Sequence, residues 1–246
     1  MSHGKWVVIL GANSDVAKGV ARSFAAGGYS IVLASRIIKD CQSLAEDLTI
    51  RYGISTRQLV FDATNYSGHQ EFFDNLGDEI EGVFLTFGVM SDQVDAQNSF
   101  ELTHQMIDTN YTGCVSVLEI IARILEVRKS GFIVAISSVA GDRGRKSNYI
   151  YGSTKAALTS YLEGLRHRLS KSGVDVLTVK PGFIATKMTR HLELPKKLTA
   201  SPAEVGDAIF KAVKSKKDII YVKPIWRLIM GVIVRVPNYI FHKTNL

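Results

Sequence analysis

Short apolar runs alternate with helical patterns along most of this chain. The runs cover residues 5–10, 29–34, 58–61, 82–86, 131–136, 174–179 and 218–222. Runs of this length are typical of buried strands, and their alternation with helices predicts a parallel sheet built from strand–helix–strand units. The 246 residues contain no internal repeat and no low-complexity linker. We therefore expect one domain over residues 1–246, with residues 223–246 as a C-terminal extension.

A glycine-containing turn follows the first apolar run and leads directly into a helical pattern. It begins at Gly11 and continues through Asn13, Ser14, Asp15 and Val16. A tight turn between a strand and a helix N-terminus is a common site for the pyrophosphate of a dinucleotide, so we assign these residues to cofactor binding. The anionic Asp15 is expected to cap the helix or to turn away from phosphate.

The order of strands and helices along the whole chain predicts an α/β fold. We expect a single Rossmann-type doubly wound parallel sheet with helices on both faces and a C-terminal apolar and basic helical extension.

Tyr151 and Lys155 are four residues apart in a helical pattern, and Ser138 stands at the end of a strand-like run. Residues four apart share one face of a helix. A lysine ammonium at that distance favours the tyrosinate and lowers a phenol pKa that is normally about 10. Such a phenol can exchange a proton with a carbonyl or an alcohol near neutral pH, and the Ser138 hydroxyl can hydrogen-bond the same substrate oxygen. We therefore assign all three residues to catalysis.

Together these motifs resemble those of the short-chain dehydrogenase/reductase family over nearly the whole chain. Tyr151 follows Ser138 by thirteen residues, and PGFIAT at residues 181–186 resembles the family's PGxxxT motif. The resemblance implies that Asn110 is a fourth catalytic residue, which links Lys155 to a water chain, and that Tyr151 and Lys155 also contact the cofactor. It further implies cofactor contacts from Asp62, Ala63, Gly88, Pro181, Gly182, Ile184 and Thr186. The family's NNAG stretch is absent, and the matching segment at residues 85–88 reads LTFG.

The end of the second apolar run indicates which dinucleotide binds. An NAD site places a carboxylate there, which binds the ribose hydroxyls. Ser35 holds that place and Arg36 follows it, an arrangement that suits the 2′-phosphate of NADP. We predict NADP (NADPH) as the cofactor, with Ser35 and Arg36 in its site. We expect no metal, because the histidines and cysteines lack the spacing of a ligand set.

Residues 137–156 and the basic, apolar tail resemble a narrower group, the keto-sugar reductase subunits of decaprenylphosphoryl-ribose epimerases. That resemblance implies a 2-keto pentose carried on a polyprenyl phosphate as the substrate, and a flavoprotein oxidase as a partner. Residues 141–146 contain three cations, which either hold a substrate phosphate or are solvated: Arg143, Arg145 and Lys146. Residues 183–195 are expected to form a lid over the substrate, with apolar side chains at Phe183, Ile184, Met188 and Leu192.

Two other functions fit the same residues. The first is the reduction of a free lipophilic carbonyl, such as a steroid, a retinoid or a 3-oxoacyl thioester. The second is a non-catalytic module that senses NADP, which is suggested by Asp15 and by the altered segment 85–87. The complete set of Asn110, Ser138, Tyr151 and Lys155 favours an enzyme over a sensor.

The net charge of +7 is confined to the C-terminal fifth of the chain. Residues 196–246 contain ten Lys or Arg against three acidic residues, whereas the first 195 residues balance. The uninterrupted apolar stretch at 228–234 is far shorter than the roughly 20 residues that cross a bilayer. We expect residues 225–241 to lie on a membrane surface, divided by Pro237, with these side chains among the acyl chains: Trp226, Leu228, Ile229, Ile233 and Tyr239. The alternative is a helix packed on the domain or at a dimer interface.

The remaining features indicate a cytoplasmic protein. Cys41 and Cys114 are typical of unpaired thiols in a reducing compartment, and the first apolar run is too short for a signal peptide. Nucleic acid is not expected as a partner, because the basic residues are not interleaved with stacking aromatics. We expect a homo-oligomer that acts on a small-molecule or lipid-linked carbonyl, either free in the cytoplasm or peripherally bound at the cytoplasmic face of the membrane.

Overall fold

A parallel seven-stranded sheet forms the centre of the structure, a computed structural model that describes residues 5–77, 79–187, 189–190 and 193–244. The strands in chain order are β1 (Trp6–Leu10), β2 (Ser30–Ser35), β3 (Thr56–Val60), β4 (Ile80–Leu85), β5 (Gly131–Ile136), β6 (Val174–Pro181), β7 (Phe183–Ile184), β8 (Thr199–Ala200) and β9 (Ile219–Val222). Their order in the sheet is β3-β2-β1-β4-β5-β6-β9, while β7 and β8 form a separate short pair. The seven strands predicted from the sequence are confirmed.

Helices connect the strands and cover both faces of the sheet. They are α1 (Asp15–Ala26), α2 (Gln42–Tyr52), α3 (His69–Asp74), α4 (Gln93–Asn98), α5 (Phe100–Ile107), α6 (Gly113–Arg128), α7 (Tyr149–Leu169), α8 (Pro202–Lys214), α9 (Ile225–Ile233) and α10 (Asn238–Phe241). One turn of π-helix, Asp108–Thr112, joins α5 to α6. The α/β fold predicted from the sequence is thereby confirmed.

The two faces of the sheet carry separate hydrophobic cores, and β1 contributes to both. Because successive side chains of a strand point to opposite faces, Val8 and Leu10 pack with α6 and α7 on one side. Val7 and Ile9 pack with α1 and α8 on the other side. Every residue of β1 is buried, which explains why its sequence is continuously apolar rather than alternating.

The strand order reverses at β1, which lies between β2 and β4. The connections that leave β1 and β4 therefore run to opposite sides and leave a crevice at the carboxyl ends of these strands. Ligands of open α/β sheets bind in such a crevice. This end of the sheet contains the turn after β1, the segment after β4 and the turn after β5.

The C-terminal extension packs on the domain through one face of α9. Trp226 and Met230 are buried together with Val139, and Ile229 and Ile233 pack partly buried against this cluster. The expectation that Trp226 lies among acyl chains is therefore wrong, because its side chain is buried in protein, and Ile229 and Ile233 are partly covered by the same cluster. Pro237 separates α9 from α10, as expected.

Arg143 holds the two helices of the extension in place. Its guanidinium donates to the backbone carbonyls of Ile233 and Val236, and to Oδ1 of Asn238 at 3.0 Å. It also lies over the ring of Phe241, 3.8 Å from the centroid.

Among the described residues, none of the helices has both the length and the apolar composition that spanning a membrane requires.

Candidate active site

A cavity of about 390 Å³ opens at the carboxyl ends of β1, β4, β5 and β6. The predicted site residues that line it are Asn13, Ser14, Asp15, Val16, Gly88, Ser138, Tyr151, Lys155, Pro181, Gly182, Ile184 and Thr186. These residues come from the N-terminus of α1, the segment after β4, the turn after β5, the first turns of α7 and the segment after β6. The fold thus brings most of the predicted residues to one space.

Tyr151 and Lys155 lie on consecutive turns of α7. The Nζ atom of Lys155 lies 5.7 Å from the centroid of the Tyr151 ring. It also donates a hydrogen bond of 3.0 Å to the carbonyl of Ile136, the last residue of β5. Lys155 is buried, so this hydrogen bond and the packing fix its ammonium group beside the tyrosine.

Close backbone contact sets the distance between α7 and the turn that carries Ser138. A Cβ atom at Gly152 would lie 2.8 Å from the carbonyl oxygen of Ala140, which is too close for any side chain. The turn is further tied to the helix by Ser137, whose hydroxyl donates to the carbonyl of Lys155 at 3.0 Å. Ser138 follows, and its Oγ accepts a hydrogen bond of 3.1 Å from the Ala140 N–H. Because Oγ already accepts this bond, the Ser138 hydroxyl hydrogen can serve as a donor.

Asn110 is fully buried in the π-helical turn, and its side chain does not line the cavity. Its amide exchanges two hydrogen bonds of 2.8 Å with the backbone of Val89 and donates a third, of 3.2 Å, to Thr154. A Cβ atom at Gly88 would lie 3.1 Å from Oδ1 of Asn110 and 3.5 Å from Nζ of Lys155. Asn110 therefore holds the segment after β4 against the lysine.

The residues that replace the NNAG stretch make their own contacts. Thr86 donates from its hydroxyl to the carbonyl of Leu10 at 2.7 Å, at the end of β1. Phe87 closes over Gly11, where a Cβ atom would lie 2.7 Å from the Phe87 nitrogen. Gly11 also has a φ of +85°, which favours glycine. Gly11 thus shapes the turn after β1 without lining the cavity.

At the N-terminus of α1, the structure fits the second of the two alternatives expected for Asp15. Ser14 is the capping residue, with its side chain accepting from the Ala17 N–H at 3.1 Å. Asp15 does not cap the helix, because its carboxylate accepts a 2.8 Å hydrogen bond from the Lys187 N–H and lies 3.7 Å from the ammonium of Lys18. The charge of Asp15 is turned toward the segment after β7. That leaves the helix N-terminus suited to an anionic group.

Four predicted cofactor contacts lie outside this cavity, at the ends of β2 and β3: Ser35, Arg36, Asp62 and Ala63. The Ser35 hydroxyl donates to the carbonyl of Ile37 at 2.9 Å, whereas Arg36 is exposed. Hydrogen bonds from the backbone and side chain of Thr64, with the charges of Arg36 and His69, hold the pKa of Asp62 below its usual range, against the opposing effect of burial. Arg36 is therefore an exposed cation at this end of the sheet.

The three cations of residues 141–146 have different environments. Arg143 points away from the cavity and binds the C-terminal extension, and Lys146 is exposed and outside the lining. Arg145 alone of the three lines the cavity. Among the lid residues, Phe183 and Ile184 line it too, while Met188 and Leu192 lie outside the described residues.

The lining residues that sequence reasoning did not identify include Asn148, Met90 and Trp226. Asn148 precedes Tyr151 by three residues, so its position near the site could have been inferred from the sequence. Trp226 reaches the cavity from the C-terminal extension, 75 positions after Tyr151. No local motif links these two positions.

Comparisons with known proteins agree with this geometry. A family profile described as short chain dehydrogenase matches residues 5–197. An uncharacterized oxidoreductase of Mycobacterium tuberculosis is 30% identical over 240 residues, which cover 96% of each chain. A further uncharacterized oxidoreductase, of Streptomyces coelicolor, is also 30% identical over 240 residues, which cover 96% of this chain and 94% of that protein.

Solved structures share the fold at lower sequence identity. A short-chain dehydrogenase from Sphingobium yanoikuyae, solved in complex with NADPH, has a TM-score of 0.81 at 23% identity and covers 95% of this chain and 96% of its own. A short-chain dehydrogenase from Burkholderia cenocepacia, solved in complex with NADP, has a TM-score of 0.84 at 20% identity and covers 100% and 99%. The family profile and the full-length relatives identify this chain as a member of the short-chain dehydrogenase/reductase family.

Proposed function

We propose that this protein is an NADP-dependent oxidoreductase that reduces a carbonyl or oxidises the corresponding alcohol. The observation that carries the proposal is that Ser138, Tyr151 and Lys155 line one cavity together with the N-terminus of α1. A proton donor, an oxygen-orienting hydroxyl and an anion-binding helix terminus are the groups that a nicotinamide-dependent reduction requires. This complete set supports turnover over the alternative of an NADP sensor.

The residues around the cavity fit a dinucleotide. The N-terminus of α1 would receive the pyrophosphate, Lys155 and the segment 181–186 would hold the nicotinamide half, and Asp62 would lie on the adenine side. When bound, the reduced nicotinamide supplies a hydride to the substrate carbon. The choice of NADP is supported by exposed Arg36 after β2, and by the two family structures from Sphingobium yanoikuyae and Burkholderia cenocepacia, which were solved with NADPH and NADP.

The chain's own residues would handle the oxygen of the substrate. Tyr151 donates its phenolic proton to the carbonyl oxygen during reduction and takes it back during oxidation. Ser138 donates to the same oxygen and orients it. Lys155, held by the Ile136 carbonyl, places its positive charge 5.7 Å from the centroid of the Tyr151 ring. Asn110 would act indirectly, because its amide holds the segment after β4 against Lys155.

For the substrate, we propose a keto-sugar carried on a polyprenyl phosphate. The likeness of residues 137–156 to reductases of such substrates supports this, and so does the mixed character of the cavity, where Phe183 and Trp226 face the same space as Arg145. The alternative within the same reaction class is a free lipophilic carbonyl of the steroid, retinoid or 3-oxoacyl type. The keto-sugar phosphate differs from a steroid or a retinoid in that its phosphate would bind a cation in the cavity.

The outward face of the C-terminal extension supports contact with an anionic membrane surface. Ile225, Leu228 and Val232 are exposed on one face of α9, and Tyr239 and Ile240 are exposed on α10. Exposed Arg227 and Arg235 stand among them. This pattern of apolar side chains with cations suits an interfacial segment. A flavoprotein oxidase partner and a homo-oligomer remain predictions of the same proposal.

The proposal is tested by following the oxidation of NADPH and of NADH in the presence of a carbonyl panel. The panel contains a ketose phosphate, a steroid ketone, a 3-oxoacyl thioester and a lipid extract of bacterial membranes. We expect NADPH oxidation that depends on one carbonyl class and is absent from Ser138→Ala. NADPH binding without turnover on any class would instead favour the sensor function.

A further inference from the structure

The side chain of Asn13 connects the turn after β1 to the loop that follows β2. Asn13 lines the cavity, but the hydrogen bonds of its amide run to residues 37–41. Its Nδ2 atom donates to the carbonyl of Ile37 at 3.4 Å and to Oδ2 of Asp40 at 3.3 Å. Its Oδ1 atom accepts from the thiol of Cys41 at 2.9 Å. A side-chain amide has two N–H donors, and both are directed at the loop, so Asn13 links the two segments.

Cys41 fixes the loop side of this link. It is buried at the end of one 3₁₀ turn, Ile38–Cys41. Its sulfur lies 3.4 Å from the hydroxyl of Ser35, the last residue of β2. Ser35 also donates to the carbonyl of Ile37 at 2.9 Å. The loop is therefore held together at its base, and Asn13 joins it to the turn after β1.

The same loop carries two charged groups with opposite effects on the choice of dinucleotide. Arg36 is an exposed cation, which suits the 2′-phosphate of NADP. Asp40 is the only acidic residue from position 36 to position 41. A carboxylate at this end of a sheet binds the ribose hydroxyls of NAD and repels a 2′-phosphate. Because Asn13 donates to Asp40, it occupies one oxygen of the group that would favour NAD.

We propose that Asn13 is a positioning residue that sets the preference for NADP over NAD. It does so by occupying the Asp40 carboxylate and by holding the loop that carries Arg36. The inference rests on the proposed function, in which NADP is the cofactor, and deepens it. The sequence assigns Asn13 to cofactor binding, whereas its hydrogen bonds give the side chain an indirect role through the loop.

The test breaks the link and then rebuilds it. Asn13→Asp removes both N–H donors and places a second carboxylate beside Asp40, so the link should open. The double variant Asn13→Asp, Asp40→Asn restores an amide–carboxylate pair and the net charge of the wild type. The Kd values of NADPH and NADH are measured by fluorescence titration. We expect their ratio to shift toward NADH by roughly 3- to 10-fold in Asn13→Asp, as for the loss of a hydrogen bond, and to recover in the double variant. The ratio cancels effects of the added charge on the pyrophosphate, which both dinucleotides share.

A second measurement needs no cofactor. Cys41 and Cys114 are the two cysteines of the chain, and both are buried. Iodoacetamide labelling of the cofactor-free protein, followed by peptide mass spectrometry, reports how often the loop opens. Cys41 should be modified faster in Asn13→Asp than in the wild type and in the double variant. Cys114 is the internal reference for global unfolding and should stay unmodified in all three proteins.

Gln42→Glu is the matched control. Gln42 and Glu46 form an exposed amide–carboxylate pair of 3.1 Å on α2, directly after Cys41. The variant makes the same chemical change outside the link, and it should match the wild type in both measurements. The proposal is overturned if Asn13→Asp keeps the wild-type ratio, or if the double variant does not recover it. A wild type without preference for NADPH contradicts the proposed cofactor itself, and the labelling of Cys41 then decides separately whether Asn13 holds the loop.

Discussion

The rings of Trp226 and Phe183 meet edge to face, with their centroids 5.3 Å apart, and both line the cavity. The Trp226 indole also donates to the carbonyl of Leu198 at 3.0 Å. A Cβ atom at Gly182 would lie 2.0 Å from this indole, so only glycine admits it. The C-terminal extension is therefore part of the cavity wall, in contact with the segments on both sides of β7.

Trp226→Ala should lower stability and weaken substrate binding together. Loss of a buried tryptophan costs about 3–5 kcal/mol, and the cavity loses one wall. Unfolding in urea and the KM of the substrate measure the two effects. Tyr239→Ala is the control, because Tyr239 lies on the same extension but is 71% exposed. An unchanged KM in a destabilised Trp226→Ala would limit the extension to a structural role.

Arg36→Ala should weaken NADPH much more than NADH. Arg36 is the exposed cation at the end of β2, and the loss of a charge-assisted hydrogen bond to a phosphate reduces affinity roughly 10- to 100-fold. The dissociation constants of both dinucleotides are measured by fluorescence titration. Lys39→Ala controls for general charge, because Lys39 is also exposed nearby. A wild type that binds NADH as tightly as NADPH would contradict the cofactor assignment.

The exposed face of α9 should attach the protein to anionic vesicles. Leu228 and Val232 are 69% and 67% exposed, and each nearby cation adds about 1 kcal/mol of attraction that salt screens. We expect flotation with anionic vesicles to decrease with salt and to be lost in the double variant Leu228→Ser, Val232→Ser. Deletion after Val222 is unsuitable, because it also removes Trp226 from the cavity wall.

The control for flotation changes two apolar residues exposed elsewhere, Val94→Ser and Phe100→Ser, which are 62% and 77% exposed in the wild type. This variant should bind vesicles like the wild type. An intact protein that remains unbound in low salt would contradict membrane contact, and equal losses in both double variants would show that binding is not specific to α9.

Cys114 should resist alkylation in the folded protein. Burial raises the pKa of its thiol to about 12, although the charge of Lys155 opposes the shift. At pH 8 only about one thiol in ten thousand would then be ionised, and the thiolate is the reactive form. Iodoacetamide labelling followed by peptide mass spectrometry should find Cys114 modified only after denaturation. Labelling of the native protein at the rate of a free cysteine would contradict this.

The strands and the Tyr151–Lys155 pair could be predicted from the sequence because both depend on local spacing. A buried parallel strand requires a short continuous apolar run, and four residues return a helix to the same face. The contacts of Asn110 were less accessible, since its partners Val89 and Thr154 are 21 and 44 residues away.

The orientation of the C-terminal extension could not be predicted from local spacing in the sequence. An apolar helix face is the same in sequence whether protein or lipid covers it, so Trp226 and Ile229 gave no sign that they pack inward. Arg143 belongs by position to the cationic loop, yet its hydrogen-bond acceptors lie 90 to 95 residues further along. Arg143, one of the predicted substrate cations, therefore has a structural role, whereas Arg145 lines the cavity.

The most direct test of the central claim is single-turnover oxidation of bound NADPH in Tyr151→Phe, with whichever carbonyl the wild type reduces. The substitution keeps the ring beside Lys155 and removes the proton donor. We predict that the rate falls by roughly 10²–10⁴, the contribution of general acid–base catalysis, while the dissociation constant of NADPH stays unchanged. A Tyr151→Phe variant that turns over at nearly the wild-type rate would contradict the assignment.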